Sequence, residues 1–166
     1  MSLYDQVVPP LSHALKALSR ILDKAEAHCA ARKIDPAVLL GDRLYADMLP
    51  LTRQIQIACD HARRGPMRLT GAEPTPVADN EASFADLKAG IAMTLAALEA
   101  YKPADFDGAE ARSLTFKAGP RELTFSGAAF VPFWMMPNFY FHMTTAYNIL
   151  RHNGVELGKA DSMGGA

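Results

Sequence analysis

The sequence lacks the segments that direct a protein into or across a membrane. Its first residues, MSLYDQVVPPLSHALK, contain no basic stretch followed by an apolar one, so we expect no signal peptide. No apolar run approaches the roughly 18 residues that a membrane-spanning helix requires. We therefore expect a cytoplasmic protein that has no membrane partner.

Cysteine is also scarce in this chain. Its two cysteines, Cys29 and Cys59, match neither a disulfide framework nor a Cys-x-x-Cys metal motif. Both lie in apolar helical stretches, which is typical of buried free thiols. Reducing cytoplasmic conditions suit such a chain.

Neither sign of charge is in excess. The 17 Lys and Arg residues and 18 Asp and Glu residues give a formal net charge of -1, which is no electrostatic footprint for nucleic acid. Basic residues cluster only locally, in HARRGPMR (61–68). We interpret this cluster as a solvated helix end, because cations are favoured at the C-terminal end of a helix dipole. We expect no nucleic-acid partner.

Familiar catalytic motifs are missing as well. The chain contains no internal repeat, no phosphate-binding glycine motif, and neither GxSxG nor HExxH. The cysteines have no visible activating neighbour and the serines fall in caps or loops, so no nucleophile is identified. The composition, 49% hydrophobic and 21% charged, is that of an ordinary globular protein. A chain of 166 residues fits one domain, which we place at residues 1–166.

Hydrophobic periodicity predicts four long helices. Their expected ranges are residues 3–31, 45–64, 83–101 and 137–152. A short helix is expected where Asp35 can cap a helix that starts at Pro36. We expect a surface loop over residues 66–80 and an extended or mobile tail over residues 159–166.

Proline and glycine mark the expected helix ends. Pro9 and Pro10 either kink the first helix or mark its start, because proline is tolerated only in a first turn. Gly65 and Pro66 form a stop signal for the second helix, and Gly154 is the expected left-handed stop of the fourth.

The hydrophobic period changes to two in SLTFKAGPRELTF. Leu114 and Phe116 mirror Leu123 and Phe125 around a Gly-Pro turn, which predicts a β-hairpin. A lone hairpin is marginal in water and must pack against the helices. The predicted fold class is therefore all-α, a four-helix bundle with a small β-hairpin before the last helix, and the long loops permit a crossover connection.

Polar side chains interrupt the apolar faces of the second and fourth helices. Asn138 and His142 lie one turn apart on the fourth helix. Asp47 and Gln54 border the apolar stripe of the second helix, where Asp47 is also a natural N-cap. Because sites in helical bundles are built from inward side chains on facing helices, these four residues are the candidate site.

Three interpretations of this site remain open. His142 would hold a divalent metal such as zinc or nickel, with oxygen ligands from Asp47, Gln54 or Asn138. Alternatively, the same residues would line a metal-free pocket in which His142 transfers a proton or forms hydrogen bonds. In the third interpretation His142 is structural and bonds to Asp47 or Gln54 across the bundle.

The other four histidines are expected to have no functional role. His13 lies near the Pro-Pro pair, and His28 has no second histidine within a turn. His61 is expected to be exposed at the end of the second helix, and His152 is expected to act as a cation at a helix C-terminus.

An aromatic and methionine run, FVPFWMMPNFYF, precedes and enters the fourth helix. It would pack as core or as a subunit interface, since interface cores are enriched in these residues. Alternatively, it would form an apolar pocket wall or lid beside His142. We expect a homodimer.

Two stretches, ADMLPLTRQIQIACDHA and PNFYFHMTTAYNILRHNGVELGKAD, resemble a bacterial domain-of-unknown-function family. That family belongs to the DinB/YfiT-like superfamily, whose members are regarded as metalloenzymes. The resemblance covers nearly the whole chain, and its last segment is the more specific part. It implies a four-helix bundle with up-down-down-up connectivity that is often dimeric.

The resemblance also implies where metal ligands would lie. The superfamily typically places one histidine on helix two and an H-x-x-x-H pair on helix four. Aligned on Arg151 and Gly154, that pair falls on Asn138 and His142, so this chain has N-x-x-x-H. The helix-two position falls near residues 50–54, which contain no histidine. Two of the three usual ligands are therefore absent.

These observations predict a DinB-like protein with a polar pocket around His142. The pocket would bind a small molecule or retain a degenerate metal site. One alternative is a metal-dependent hydrolase or thiol transferase that uses His142 with Asp47, Gln54 or Asn138. The other is a non-catalytic dimeric structural or interaction protein.

Overall fold

Helices dominate the structure, a computed structural model that describes residues 2–165. A 3₁₀ turn covers Pro103–Phe106 and a turn of π-helix covers Val131–Met135. The remaining elements are α1 (Leu3–Arg32), α2 (Pro36–Gly41), α3 (Leu51–Leu69), α4 (Phe84–Glu99), β1 (Ser113–Ala118), β2 (Arg121–Ser126), α5 (Gly127–Phe130), α6 (Met136–His152) and α7 (Lys159–Ser162).

Side-chain caps start four of these helices: α1, α2, α4 and, through Ser126, α5. Ser2 and Asp5 form a reciprocal capping box at the start of α1, and Asp35 caps α2 as predicted. At α4, the Ser83 hydroxyl accepts a hydrogen bond from the backbone N–H of Asp86 at 3.1 Å. Each cap satisfies a backbone donor that has no partner within its helix.

Helix α3 lies five to six residues further along the chain than predicted. Pro50, in extended conformation, is its N-cap residue, so α3 begins at Leu51 and not near residue 45. The expectation that Asp47 caps this helix is wrong, because Asp47 lies in the turn before it. The Gly-Pro stop signal is wrong as well, since α3 continues through Pro66 to Leu69.

Gly65 has a packing role. A Cβ atom at Gly65 would overlap the Met135 sulfur and lie 2.8 Å from Met135 Cγ. Met135 is fully buried, so its side chain occupies the space that the missing Cβ leaves. This close approach joins α3 to the segment that leads into α6, and tertiary packing offsets the poor helix propensity of Gly65-Pro66.

The C-terminal tail packs on α1 and is helical over Lys159–Ser162, so the expected extended conformation is wrong there, and Ala166 lies outside the described residues. The helical part is α7, and the Lys24 ammonium donates to the Asp161 carboxylate at 2.7 Å. The His13 ring lies 2.9 Å through Nε2 from the Met163 carbonyl oxygen. Upstream, α6 ends at His152 and Gly154 adopts a left-handed conformation with φ of 85°, as predicted.

The predicted hairpin is confirmed. In the antiparallel β1–β2 ladder, Leu114 pairs with Phe125 and Phe116 pairs with Leu123. The Phe116 ring packs edge-on against Phe130, with ring centroids 5.7 Å apart. The hairpin therefore gains its support from the segment before α6, as a two-stranded sheet requires.

The core lies among the four long helices. α3 packs on α6 and α4, and α1 packs on α4. Within residues 2–165, no helix combines the length and apolarity that crossing a membrane demands. Fully buried members of the core include Leu11, Leu15, Leu18, Ile21, Leu22, Leu51, Leu69 and Phe139.

Candidate functional site

His142 and Gln54 meet between α6 and α3. The His142 Nδ1 atom lies 2.7 Å from the Gln54 side-chain oxygen. The Gln54 amide nitrogen donates to the Leu49 carbonyl at 2.9 Å, and this second bond fixes which end of the amide faces the imidazole. An amide oxygen only accepts, so Nδ1 carries the hydrogen and the neutral ring presents its lone pair at Nε2.

His61 joins this pair, and its expected exposure is wrong. Its ring is partly buried and nearly parallel to that of His142, with centroids 6.2 Å apart and an interplanar angle of 15°. Gln54 and His61 lie seven residues apart, so they share one face of α3. The seven-residue spacing of Gln54 and His61 is visible in the sequence. The helix stop predicted at Gly65-Pro66, however, placed His61 at a solvated helix end.

Both imidazoles are neutral near pH 7. Burial, assisted by the neighbouring His142, Arg68 and Arg64, lowers the pKa of His61 to about 4. Burial also lowers the pKa of His142. Desolvation acts in this direction because it penalises the charged form of each ring.

Acidification is therefore expected to destabilise the protein through His61. Between about pH 6.5 and pH 4, the unfolded state binds a proton at His61 that the folded state does not, so stability falls as the pH falls. Allowing for the partial exposure of the ring, this contribution is on the order of 1–2 kcal/mol. Urea unfolding across this range should show a weaker pH dependence for His61→Asn than for the unaltered chain.

The same substitution at exposed His152 is the matched control for the loss of one imidazole. A His61 Hε1 resonance that titrates near pH 6.5 in NMR spectra would contradict the assigned environment. A pH dependence of the free energy of unfolding that His61→Asn leaves unchanged would contradict it as well.

The other two predicted site residues, Asn138 and Asp47, lie outside this hydrogen-bonded pair. The Asn138 amide nitrogen donates to the Trp134 carbonyl at 2.7 Å, so it serves the backbone of the preceding turn. Asp47 is exposed in the connection before α3. Of the four predicted residues, the structure joins Gln54 and His142 by a hydrogen bond.

The donors at this site do not form a standard metal-ligand set. Within residues 2–165, no group of three or more His, Cys, Asp or Glu side chains is placed to hold a metal ion. Zinc sites in proteins use three or four such ligands, and an amide oxygen is a weak substitute. The side chains at this site therefore do not fit a resident metal ion.

Cys59, on the neighbouring face of α3, is not an activated nucleophile. Burial raises the pKa of its thiol to about 12, and the thiol remains protonated near neutral pH. The thiolate is the reactive form of cysteine, so this residue is inert.

A pocket of about 210 Å³ adjoins His61. Its α3 wall carries His61, Arg64 and Arg68, and its opposite wall carries Phe116 of β1 and Trp134. The aromatic run thus supplies part of a pocket wall. Its members differ in exposure: Phe130 is buried, whereas Phe133 is 74% exposed.

Comparisons with known proteins bear on the whole chain. The family model described as "Domain of unknown function (DUF1993)" matches residues 3–163. A solved structure of a DinB family member from Shewanella denitrificans is 45% identical, with a TM-score of 0.91. The alignment covers 99% of this chain and 93% of that one. No curated protein matches this chain.

Proposed function

We propose a small-molecule-binding function for this chain, which belongs to the family described as a domain of unknown function (DUF1993). The observation that carries the proposal is the tautomer of His142, which Gln54 fixes with the hydrogen on Nδ1. Nε2 is then free to accept a hydrogen bond or a proton from a ligand. The second neutral imidazole, His61, lines the adjoining pocket and adds no charge of its own beside His142.

Phenol tests this proposal, because its hydroxyl is a neutral donor for Nε2, and anisole is the matched probe that lacks the donor. We expect phenol to shift the imidazole resonances of His142 and His61 saturably, with roughly millimolar affinity as for other fragments. Anisole should bind at least several-fold more weakly. His142→Ala should abolish the phenol response, whereas His152→Ala should retain it.

Two outcomes would overturn the proposal. Phenol would leave both imidazole resonances unchanged, or its response would persist in a folded His142→Ala variant. Either result would favour the interpretation in which the His142–Gln54 hydrogen bond only joins α3 to α6.

A metal-dependent hydrolase or thiol transferase is the alternative, and one observation favours it. Two imidazoles face each other at 6.2 Å between centroids, although only His142 falls on a position where the superfamily pattern places a histidine. Elemental analysis of protein purified without an affinity tag tests this alternative. Stoichiometric zinc or nickel that disappears in His142→Ala would support it, and metal-free protein with intact phenol binding would exclude a metal from the binding step.

We also propose the up-down-down-up connectivity that the family resemblance implies. Contacts support an antiparallel α1–α4 pair: Lys88, near the start of α4, pairs with Glu26 late in α1 at 2.7 Å. Lys16, earlier in α1, approaches Glu99 at the end of α4 at 3.9 Å.

A parallel α3–α4 pair follows from the same connectivity. In its support, Gln56 near the start of α3 donates to Glu81, three residues before α4, at 2.6 Å. The distance between nitroxide labels on Thr52→Cys and Ala85→Cys tests this arrangement. Thr52 lies near the N-terminus of α3 and Ala85 near that of α4, so the distance is short if the two helices are parallel. Antiparallel helices would lengthen the distance between labels by about 25 Å, one length of α4, and that result would refute the proposed order.

A further inference from the structure

The 210 Å³ pocket beside His61 has a composition that suits a particular ligand class. One wall is a face of α3, and the other comes from the hairpin and the segment before α6. The residues that carry its charge or its aromatic surface are Asp60, His61, Arg64, Arg68, Phe116, Lys117, Phe130 and Trp134.

The charge around this pocket is positive. Arg64 and Arg68 are one turn apart on α3, and Lys117 faces them from β1. Asp60 is the single carboxylate of the lining, and it already accepts from Arg63 and, at 3.1 Å, from Arg64. The lining therefore has three cations and one carboxylate, which already pairs with arginines of its own helix, and His61 is neutral.

Arg68 is a partly buried cation without an ion-pair partner in the described part of the chain. Within residues 2–165 it has no hydrogen-bond or ion-pair partner among side chains or backbone carbonyls. Its guanidinium lies over the Phe116 ring, 4.8 Å from the centroid. Burial and the nearby Arg64 lower its pKa, and Glu73 opposes this from beyond ion-pair distance.

Arg64 contributes a buried donor without a partner among the described residues. Its Nε atom is buried and has no hydrogen-bond partner. An unpaired buried N–H group on a cation is costly, and an anion that reached the Arg64 Nε atom would relieve this cost. Guanidinium groups suit carboxylates in particular, because their planar fork matches two carboxylate oxygens.

The remaining surface is aromatic. Phe116 and Trp134 lie 5.6 Å apart between centroids with their planes tilted by 57°, and Phe130 packs edge-on against Phe116. Such walls favour a flat apolar body that contacts ring faces and edges. A small, partly enclosed pocket with one cationic wall and one aromatic wall favours a ligand that combines a negative charge with a flat apolar body.

We propose that this pocket binds small aromatic carboxylates, with the carboxylate at Arg68 and Arg64 and the ring against Phe116 and Trp134. This inference goes beyond the function proposed above. It shares His61 with that site but does not depend on His142 binding a ligand. The local basic cluster of the sequence is then one wall of a binding pocket.

Benzoate titration of the 166-residue chain tests this assignment. Trp134 is the only tryptophan, so its fluorescence, excited where benzoate does not absorb, reports on the pocket directly. We expect saturable binding of benzoate. Benzamide, a neutral molecule of nearly the same shape, and inorganic phosphate, an anion without a ring, should each bind at least tenfold more weakly.

Variants locate the binding. Arg68→Gln should weaken benzoate binding at least tenfold, whereas Arg121→Gln, an equal loss of charge at an exposed position of the same hairpin, should leave the affinity unchanged. Lys117 is exposed, so Lys117→Gln should fold normally even if Arg68→Gln does not, and it should weaken binding roughly threefold. Raising the salt concentration should weaken binding as well, because ions screen partly exposed charges.

The outcomes that would overturn the assignment are distinct. Equal affinities for benzoate and benzamide would show that charge does not contribute to binding. Equal affinities for benzoate and phosphate would show that the aromatic ring does not contribute. Unchanged benzoate affinity in folded Arg68→Gln and Lys117→Gln would show that benzoate does not bind in this pocket. Benzoate binding that survives in His142→Ala, with no phenol response in the unaltered chain, would overturn the proposed function and leave this assignment standing.

Discussion

Replacing Gly127 with alanine is expected to lower the free energy of unfolding by about 3 kcal/mol. Gly127 begins α5 and donates to the Arg112 carbonyl at 2.9 Å. A Cβ atom there would overlap the Ala109 carbonyl oxygen and lie 2.9 Å from its carbon. Because a backbone carbonyl cannot rotate away as a side chain does, α5 must separate from the segment that it packs against.

Urea unfolding measures this effect, and thermal unfolding should show a fall in Tm of roughly 6–12 °C for a chain of this length. The control is Gly41→Ala, because a Cβ at Gly41 would meet no atom within 4 Å. That variant should remain within about 0.5 kcal/mol of the unaltered chain or become slightly more stable. Equal stability of the two variants would show that α5 does not approach Ala109 as closely as described.

Replacing Phe130 with alanine is expected to cost about 3–5 kcal/mol, the range for truncating a buried aromatic side chain. Phe130 is 2% exposed and packs against Phe116 and Phe125, with ring centroids 5.7 and 6.3 Å apart. It is therefore a main contact that holds the hairpin on the helices. Its removal should also weaken the hairpin locally.

Phe133→Ala is the matched control, since the same substitution three residues later removes a ring that is 74% exposed. It should change stability by less than about 0.5 kcal/mol. Hydrogen exchange of β1 and β2 amides separates global from local effects. If the hairpin amides of Phe130→Ala exchanged no faster than expected from global destabilisation, the hairpin would depend on other contacts.

Local chemistry explains the parts of the fold that the sequence predicted. The hairpin register follows from the alternation of Leu114, Phe116, Leu123 and Phe125, because a one-residue slip would move every apolar side chain to the other face. The α1, α2 and α4 starts follow from side-chain caps that act within three residues. These interactions span few residues, so a sequence pattern contains all of their partners.

Helix α3 shows where this reasoning fails. Gly65 and Pro66 are locally unfavourable in a helix, yet α3 includes them because Met135, 70 positions away, occupies the space beside Gly65. No local pattern includes that partner. The error in the helix end also led to the error at His61.

At the candidate site, the sequence by itself determined which side chains are available. The presence of Gln54 on one helix and His142 on another, the missing H-x-x-x-H pair, and the absence of a nucleophile motif are properties of residue identity and spacing. Only the tertiary structure decided what these residues meet: Gln54 fixes the His142 tautomer, His61 packs beside it, and the Arg68 guanidinium lies over the Phe116 ring. The physical reason is that hydrogen bonding, desolvation and charge compensation depend on distances between segments that are remote in sequence, and packing of the whole chain sets those distances.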